Sequence, residues 1–187
     1  MKKTILMMCG LLLSLDAGAL DLAGVHLADT AQVGNATLQL NGGGIRTRWF
    51  FKVYVGALYL PARQSDANAI IGADGPYRIS LTMLRGLGEK RFLDAFIEAI
   101  AANHSKEEMA ALDPQIKQMI AIFHKVGEVK TGDLIALDYQ PVTGTQISVN
   151  GQAYGAIPGE MFRRALLKIW LGSKPVQDDL KKDMLGG

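Results

Sequence analysis

Residues 40–60, LNGGGIRTRWFFKVYVGALYL, constrain this chain more than any other stretch: three consecutive glycines lead into a long apolar and aromatic run that still carries Arg46, Arg48 and Lys52. Aromatic and β-branched residues at this density favour a strand. Pro61 closes it, because proline has no amide to donate to a ladder. Gly42-Gly43-Gly44 reads as a break before one long strand over 45–60. Counted by twos, one face of that strand carries Arg46, Arg48, Phe50, Lys52, Tyr54, Gly56 and Leu58, and the other carries Thr47, Trp49, Phe51, Val53, Val55, Ala57 and Tyr59. Both faces read as covered along the second half. A guanidinium in such a setting requires an anion, since an unpaired buried charge costs several kcal/mol or more. That anion is either one of the protein's own carboxylates or a ligand.

The first 19 residues have the three-part form of a secretory signal: Lys2 and Lys3, a short apolar run ILMMCGLLLSL, and a small-residue site at Ala17-Gly18-Ala19. The apolar run is too short to span a bilayer, which takes about 20 residues, and no later segment comes closer. The expectation is a periplasmic or secreted domain over 20–187 with no stable membrane insertion. Cleavage would remove Cys9, the single cysteine. Disulfides, thiolate metal sites and cysteine nucleophiles are then excluded together. It would also remove Lys2, Lys3 and Asp16, taking the 20 basic and 18 acidic residues to 18 and 17. A balance of +1 gives nucleic acid no electrostatic footprint. The remaining length suits one domain that buries about 70% of its surface.

Short strands are expected over 24–28 and 36–40 with a turn at Gly34-Asn35, and a strand over 77–84. A short helix is expected near 65–71. Phe92, Phe96 and Ile100, with Leu93 and Ile97, recur at helical steps and predict an amphipathic helix over 89–102, its stripe core first and cleft lining second. Ser105 and Glu108 form a capping-box pattern that starts a second helix, and Asp113-Pro114 should bend or restart it. Strands over 133–139, 146–149 and 152–157 follow, the last two joined by the hairpin signal Asn150-Gly151. Two helices, 158–171 and 175–185, close the chain, with Gly172 as the cap of the first. The order of elements indicates an α+β domain rather than alternating βαβ units.

GGGIRT followed by FFKVYVGALYL, together with the closing block ALLKIWLGSKPVQDDLKKDMLG, resembles the exported bacterial branch of the chalcone isomerase-like proteins. The resemblance covers nearly the whole chain after residue 19. It implies an open-faced β-sandwich, a curved antiparallel sheet with helices layered on one face and a ligand cleft between them. Plant enzymes of this fold cyclise a chalcone by intramolecular attack of a phenolate on an enone, with an arginine, a threonine and a tyrosine holding the developing charge. Fatty-acid-binding relatives keep the arginine as a carboxylate anchor. The family's arginine matches Arg46 in Gly44-Ile45-Arg46, and its threonine position falls on Tyr54. The tyrosine ahead of the first long helix would lie within Gly88-Glu89-Lys90-Arg91, where there is none, and a hydroxyl position near the start of the penultimate helix falls at Arg163.

The resemblance therefore implies a small apolar anionic ligand, such as a fatty acid, held by Arg46 and Tyr54. An intramolecular lyase acting on a chalcone-like enone is the alternative, without the full set of catalytic hydroxyls. A structural or protein-interaction role is the third reading. Against the anchor role stands an internal ion pair for Arg46, and against a ligand-facing Tyr54 its ordinary value as a β-former. Lys52, Arg163, Arg164 and Lys168 read as solvated edges, and Arg48 as structural. His26, His104 and His124 lack metal-ligand spacing, so neither metal nor cofactor is expected.

Overall fold

The computed structural model describes residues 20–187; the expected signal segment, 1–19, lies outside the described residues. β1 (Leu20–Leu22) and β2 (Val25–Leu27) form a small hairpin. β3 (Thr30–Val33), β4 (Ala36–Arg48) and β5 (Phe51–Leu60) begin the main sheet. It continues, after α1 (Ala67–Gly72), with β6 (Tyr77–Met83), then α2 (Glu89–Ala101), α3 (Lys106–Val126), and the meander β7 (Leu134–Gln140), β8 (Gly144–Val149) and β9 (Gln152–Ile157). α4 (Glu160–Leu171) and α5 (Asp178–Met184) complete it. The seven strands lie in chain order, β3 to β9, every neighbouring pair antiparallel. The sheet curls into a half-barrel with its helices on one side, so the α+β, open-faced architecture is the one found.

The run expected to be one strand over 45–60 is a hairpin. β4 passes straight through the glycines, the chain turns at Trp49-Phe50, and Arg48 pairs with Phe51. The glycines are there for space. A Cβ on Gly42 would lie 2.1 Å from the Asp183 carbonyl oxygen, and one on Gly44 2.4 Å from Asp183 Oδ2, so α5 packs directly on the β4 backbone. On the opposite face a Cβ on Gly43 would meet Leu27 of β2 at 2.6 Å. Three residues without side chains thus let the strand be covered closely from both sides. Buried Asn41 fixes this corner: its amide donates to the carbonyls of Gln64 and Met184, and its oxygen accepts from Gln64 N.

Beyond the turn, period-two alternation sorts β5 between two cores. Val55, Ala57 and Tyr59 join Leu27, Val33, Leu38 and Leu40 beneath the β1–β2 hairpin, while Leu58 and Leu60 face the helices and the larger core. Asp66 caps α1 by accepting from Asn68 N and Ala69 N. Ser105 and Glu108 form the reciprocal capping box at the start of α3. Pro114 neither stops nor restarts α3, which is one helix over 106–126. Leu112, Ile116, Met119, Ile122 and Phe123 lie on one buried stripe spanning the proline, and that shared packing outweighs the lost backbone bond. Asn150 and Gly151 both take positive φ, 51° and 80°, as the tight β8–β9 turn requires. Gly172 does end α4, in an extended rather than left-handed conformation: a Cβ there would meet Asn103 Oδ1 at 2.4 Å and the Lys168 carbonyl oxygen at 2.5 Å.

Candidate functional site

The curled sheet and the helices above it do not close completely. A hollow of about 800 Å³ runs between them. Its floor is apolar, formed by Leu81, Met83, Ile135, Leu137 and Ile147 of β6, β7 and β8, and its roof carries Phe92 and Phe96 of α2, Met119 and Phe123 of α3, and Leu166 and Trp170 of α4. Phe123 meets Phe92 and Phe96 with ring centroids 4.7 and 5.3 Å apart, in tilted and edge-on arrangements. The α2 stripe thus serves both uses at once: Ile100 is fully buried, while Phe92 and Phe96 face the hollow.

Arg46 and Tyr54 both line the hollow. They share a face because they are register partners across the β4–β5 hairpin, directly opposite one another, rather than because they lie an even number of residues apart on one strand. Arg46 is half-buried. Its Nη1 donates to the Thr47 carbonyl and to Gln177 Oε1, the latter at 3.3 Å. Gln177 is held independently, accepting from Thr47 N at 2.8 Å and donating to the Ile45 carbonyl at 3.3 Å. Among the described residues no carboxylate reaches Arg46 within ion-pair distance, and none of its hydrogen bonds uses Nε or Nη2. The expected alternative, an internal salt bridge, is not what the structure shows.

Tyr54 accepts a hydrogen bond from Trp170 Nε1 at 3.0 Å, which leaves its own hydroxyl proton to donate. Burial pushes this phenol up to about 12, against the smaller opposing pull of the Trp170 N–H and the Arg46 charge. It is a neutral donor at any physiological pH. Trp170, the residue that aims it, carries no motif; its only sequence signal is its place on the apolar stripe of α4. The site therefore offers one cationic and one neutral donor at the rim of an apolar space.

The other basic residues divide. Arg48 lies 4.0 Å from Glu98 at the rim and is exposed. Lys52 and Arg164 are also exposed. Arg163, expected on a solvated edge, is completely buried. α4 is enclosed on nearly every side, so position 163 has no route to water. Its guanidinium lies 5.3 Å from the Tyr139 ring centroid and Nη2 donates to the Ile71 carbonyl at 3.0 Å, with Glu160 3.8 Å away. It does not line the hollow. Among the described residues no cluster could hold a metal ion, and no helix is long and apolar enough to cross a membrane.

Residues 19–186 match the family described as chalcone isomerase-like. No curated protein matches the chain. Among solved structures, a fatty-acid binding protein of Arabidopsis thaliana is similar, with a TM-score of 0.74 and 16% identity over 90% of this chain and 96% of that one. At that identity the likeness speaks for the fold. The match across nearly all the described residues, on a seven-stranded curled sheet with its helices on one side, places this chain in the chalcone isomerase-like family.

Proposed function

We propose that this is an exported binding domain for a small apolar anion, a fatty acid or similar amphiphile, with its tail in the hollow and its charged end against Arg46 and Tyr54. One observation carries the reading: a half-buried guanidinium without a carboxylate partner among the described residues stands at the rim of an apolar space of about 800 Å³. That volume is within the usual range for small-molecule pockets, roughly 300–1,000 Å³. An apolar tail gains about 0.8 kcal/mol for each methylene removed from water, and the head group supplies the counter-charge that Arg46 lacks. The similar Arabidopsis structure is that of a fatty-acid binding protein, which supports the choice of ligand class. Export rests on the form of residues 1–19.

Mass spectrometry of organic extracts of the purified protein tests this. Lipid carboxylic acids should accompany the native protein and be depleted from Arg46→Ala. Equal lipid content in the two overturns the anchor role.

A further inference from the structure

The β4–β5 hairpin ends in a conspicuously apolar tip. Trp49 is 84% exposed, Phe50 94% and Phe51 58%, three large aromatic side chains in succession held out in water. The turn itself is built against local preference. Trp49 has φ 60°, a left-handed conformation that two-residue hairpins usually give to glycine or asparagine, and a bulky residue there is strained. Stability alone favours Asn-Gly, as in the β8–β9 turn of this same chain. The Phe51 ring is braced by the Arg85 guanidinium, 4.6 Å from its centroid, so Trp49 and Phe50 are the two left without such support.

The tip stands at the entrance to the hollow, since Trp49 and Phe51 line it. The same entrance is basic. Arg46, Arg48, Arg85, Arg91 and Lys174 line the hollow, against Asp94 and Glu98, an excess of three positive charges in a chain whose formal net charge is +2 overall. Lys52 adds a further exposed cation beside the turn. Aromatic rings at the point of a hairpin, ringed by long cationic side chains, match the two layers of an anionic membrane surface: the rings suit the boundary between head groups and acyl chains, and the cations suit the phosphates.

We propose that the β4–β5 tip docks on an anionic lipid bilayer, seating Trp49 and Phe50 among the head groups so that the mouth of the hollow opens on to the membrane. The contact is peripheral: a turn of this size reaches only the interfacial layer, about 5–10 Å deep. The inference stands on the exposed rings and the charge around them and does not depend on what the hollow holds.

Trp49 can report its own environment, because Trp170 is the only other tryptophan and is buried within the protein. In full-length Trp170→Phe protein, vesicles of equal parts phosphatidylglycerol and phosphatidylcholine should shift Trp49 emission to the blue and shield it from iodide. High salt should reverse the shift, and pure phosphatidylcholine should not produce it. Trp49→Ala/Phe50→Ala, whose side chains contribute nothing to the core, should weaken co-sedimentation with the anionic vesicles about a hundredfold relative to the unaltered chain. Arg85→Glu/Arg91→Glu should weaken it by roughly fivefold or more per residue. Because residues 1–19 are common to all these proteins, the differences isolate the tip. Unchanged Trp49 emission on every vesicle overturns the proposal, even if the protein sediments. So does an equal, salt-insensitive shift on neutral vesicles, or a blue shift that grows with protein concentration in the absence of lipid, which would assign the tip to a second copy of the chain.

Discussion

Replacing Arg46 with methionine separates the two ends of the proposed ligand. The substitution keeps an unbranched apolar stem about as long as the arginine's up to Nε and removes the charged guanidinium end. It should leave the local fold in place, because Gln177 retains its bonds to Thr47 N and the Ile45 carbonyl when Arg46 Nη1 is gone. Nε and Nη2 are the groups that make no hydrogen bond among the described residues, and together they can meet both oxygens of a carboxylate. A hydrogen bond to a charged group contributes about 1.5–3 kcal/mol. Arg46 is half-buried at an open rim, so screening places the expected loss near the lower end, about 2 kcal/mol or roughly a 30-fold weaker Kd. A long-chain alcohol with the same tail carries no counter-charge and lacks the second oxygen of a bidentate pair, so its affinity should fall by only a few-fold, about 1 kcal/mol. Competition against a fluorescent fatty acid, with acid and alcohol of equal length on both proteins, measures all four constants. If the substitution weakens acid and alcohol by the same factor, or leaves the acid unaffected, the guanidinium does not hold the head group and the reasoning fails.

Tyr54 ties stability to pH at the alkaline end. Its phenol is raised to about 12 by burial, whereas in the unfolded chain it ionises near its ordinary value of about 10. Between those values the unfolded chain has lost the proton and the folded one retains it, so stability falls as pH rises, by up to about 1.4 kcal/mol per pH unit. Urea unfolding between pH 10 and 12 should show a shallower decline in Tyr54→Phe, and identical slopes would refute the assignment. Gly42→Ala should cost about 1–3 kcal/mol, because the new methyl group would lie 2.1 Å from the Asp183 carbonyl oxygen and α5 must give way. Gly75→Ala, with nothing within 4 Å, is the control that should melt with the native protein. Arg163 is buried with Nε and Nη1 lacking any hydrogen-bond partner among the described residues. Arg163→Met should accordingly stay within about 1 kcal/mol of the native protein, whereas Arg163→Ala, which also leaves a cavity, should lose about 3 kcal/mol or more in chemical denaturation.

Legibility followed the range of the interactions. The α2 stripe, the α3 capping box and the Asn150-Gly151 turn were readable because each is decided by residues within a few positions of one another. The β4–β5 turn was not, since Arg48-Trp49-Phe50-Phe51 carries none of the usual turn chemistry and continues the strand pattern on both sides. Gly42-Gly43-Gly44 reads as a break when only the chain is in view, and becomes a continuous strand when α5 and Leu27 press against it from opposite faces. Arg46 and Tyr54 are singled out in the sequence by their match to the family's arginine and threonine positions, and both line the hollow, whereas Trp170, which orients Tyr54, is hidden among core residues. Arg163 was misplaced because charge alone suggests a solvated edge, and only the packing around α4 shows that the edge is enclosed.

By itself, then, the amino-acid order determined the class of fold, the caps and stripes of its helices, and the presence of a guanidinium in an apolar stretch. Those are consequences of propensity and periodicity, which act locally. Tertiary structure decided the rest: that Arg46 finds no carboxylate within reach among the described residues, that Tyr54 comes to lie opposite it, and that the aromatic turn projects beside the mouth of the hollow. Each depends on which distant residues the curl of the sheet brings together, and neither charge pairing nor exposure is a property that a residue possesses before its neighbours in space are known.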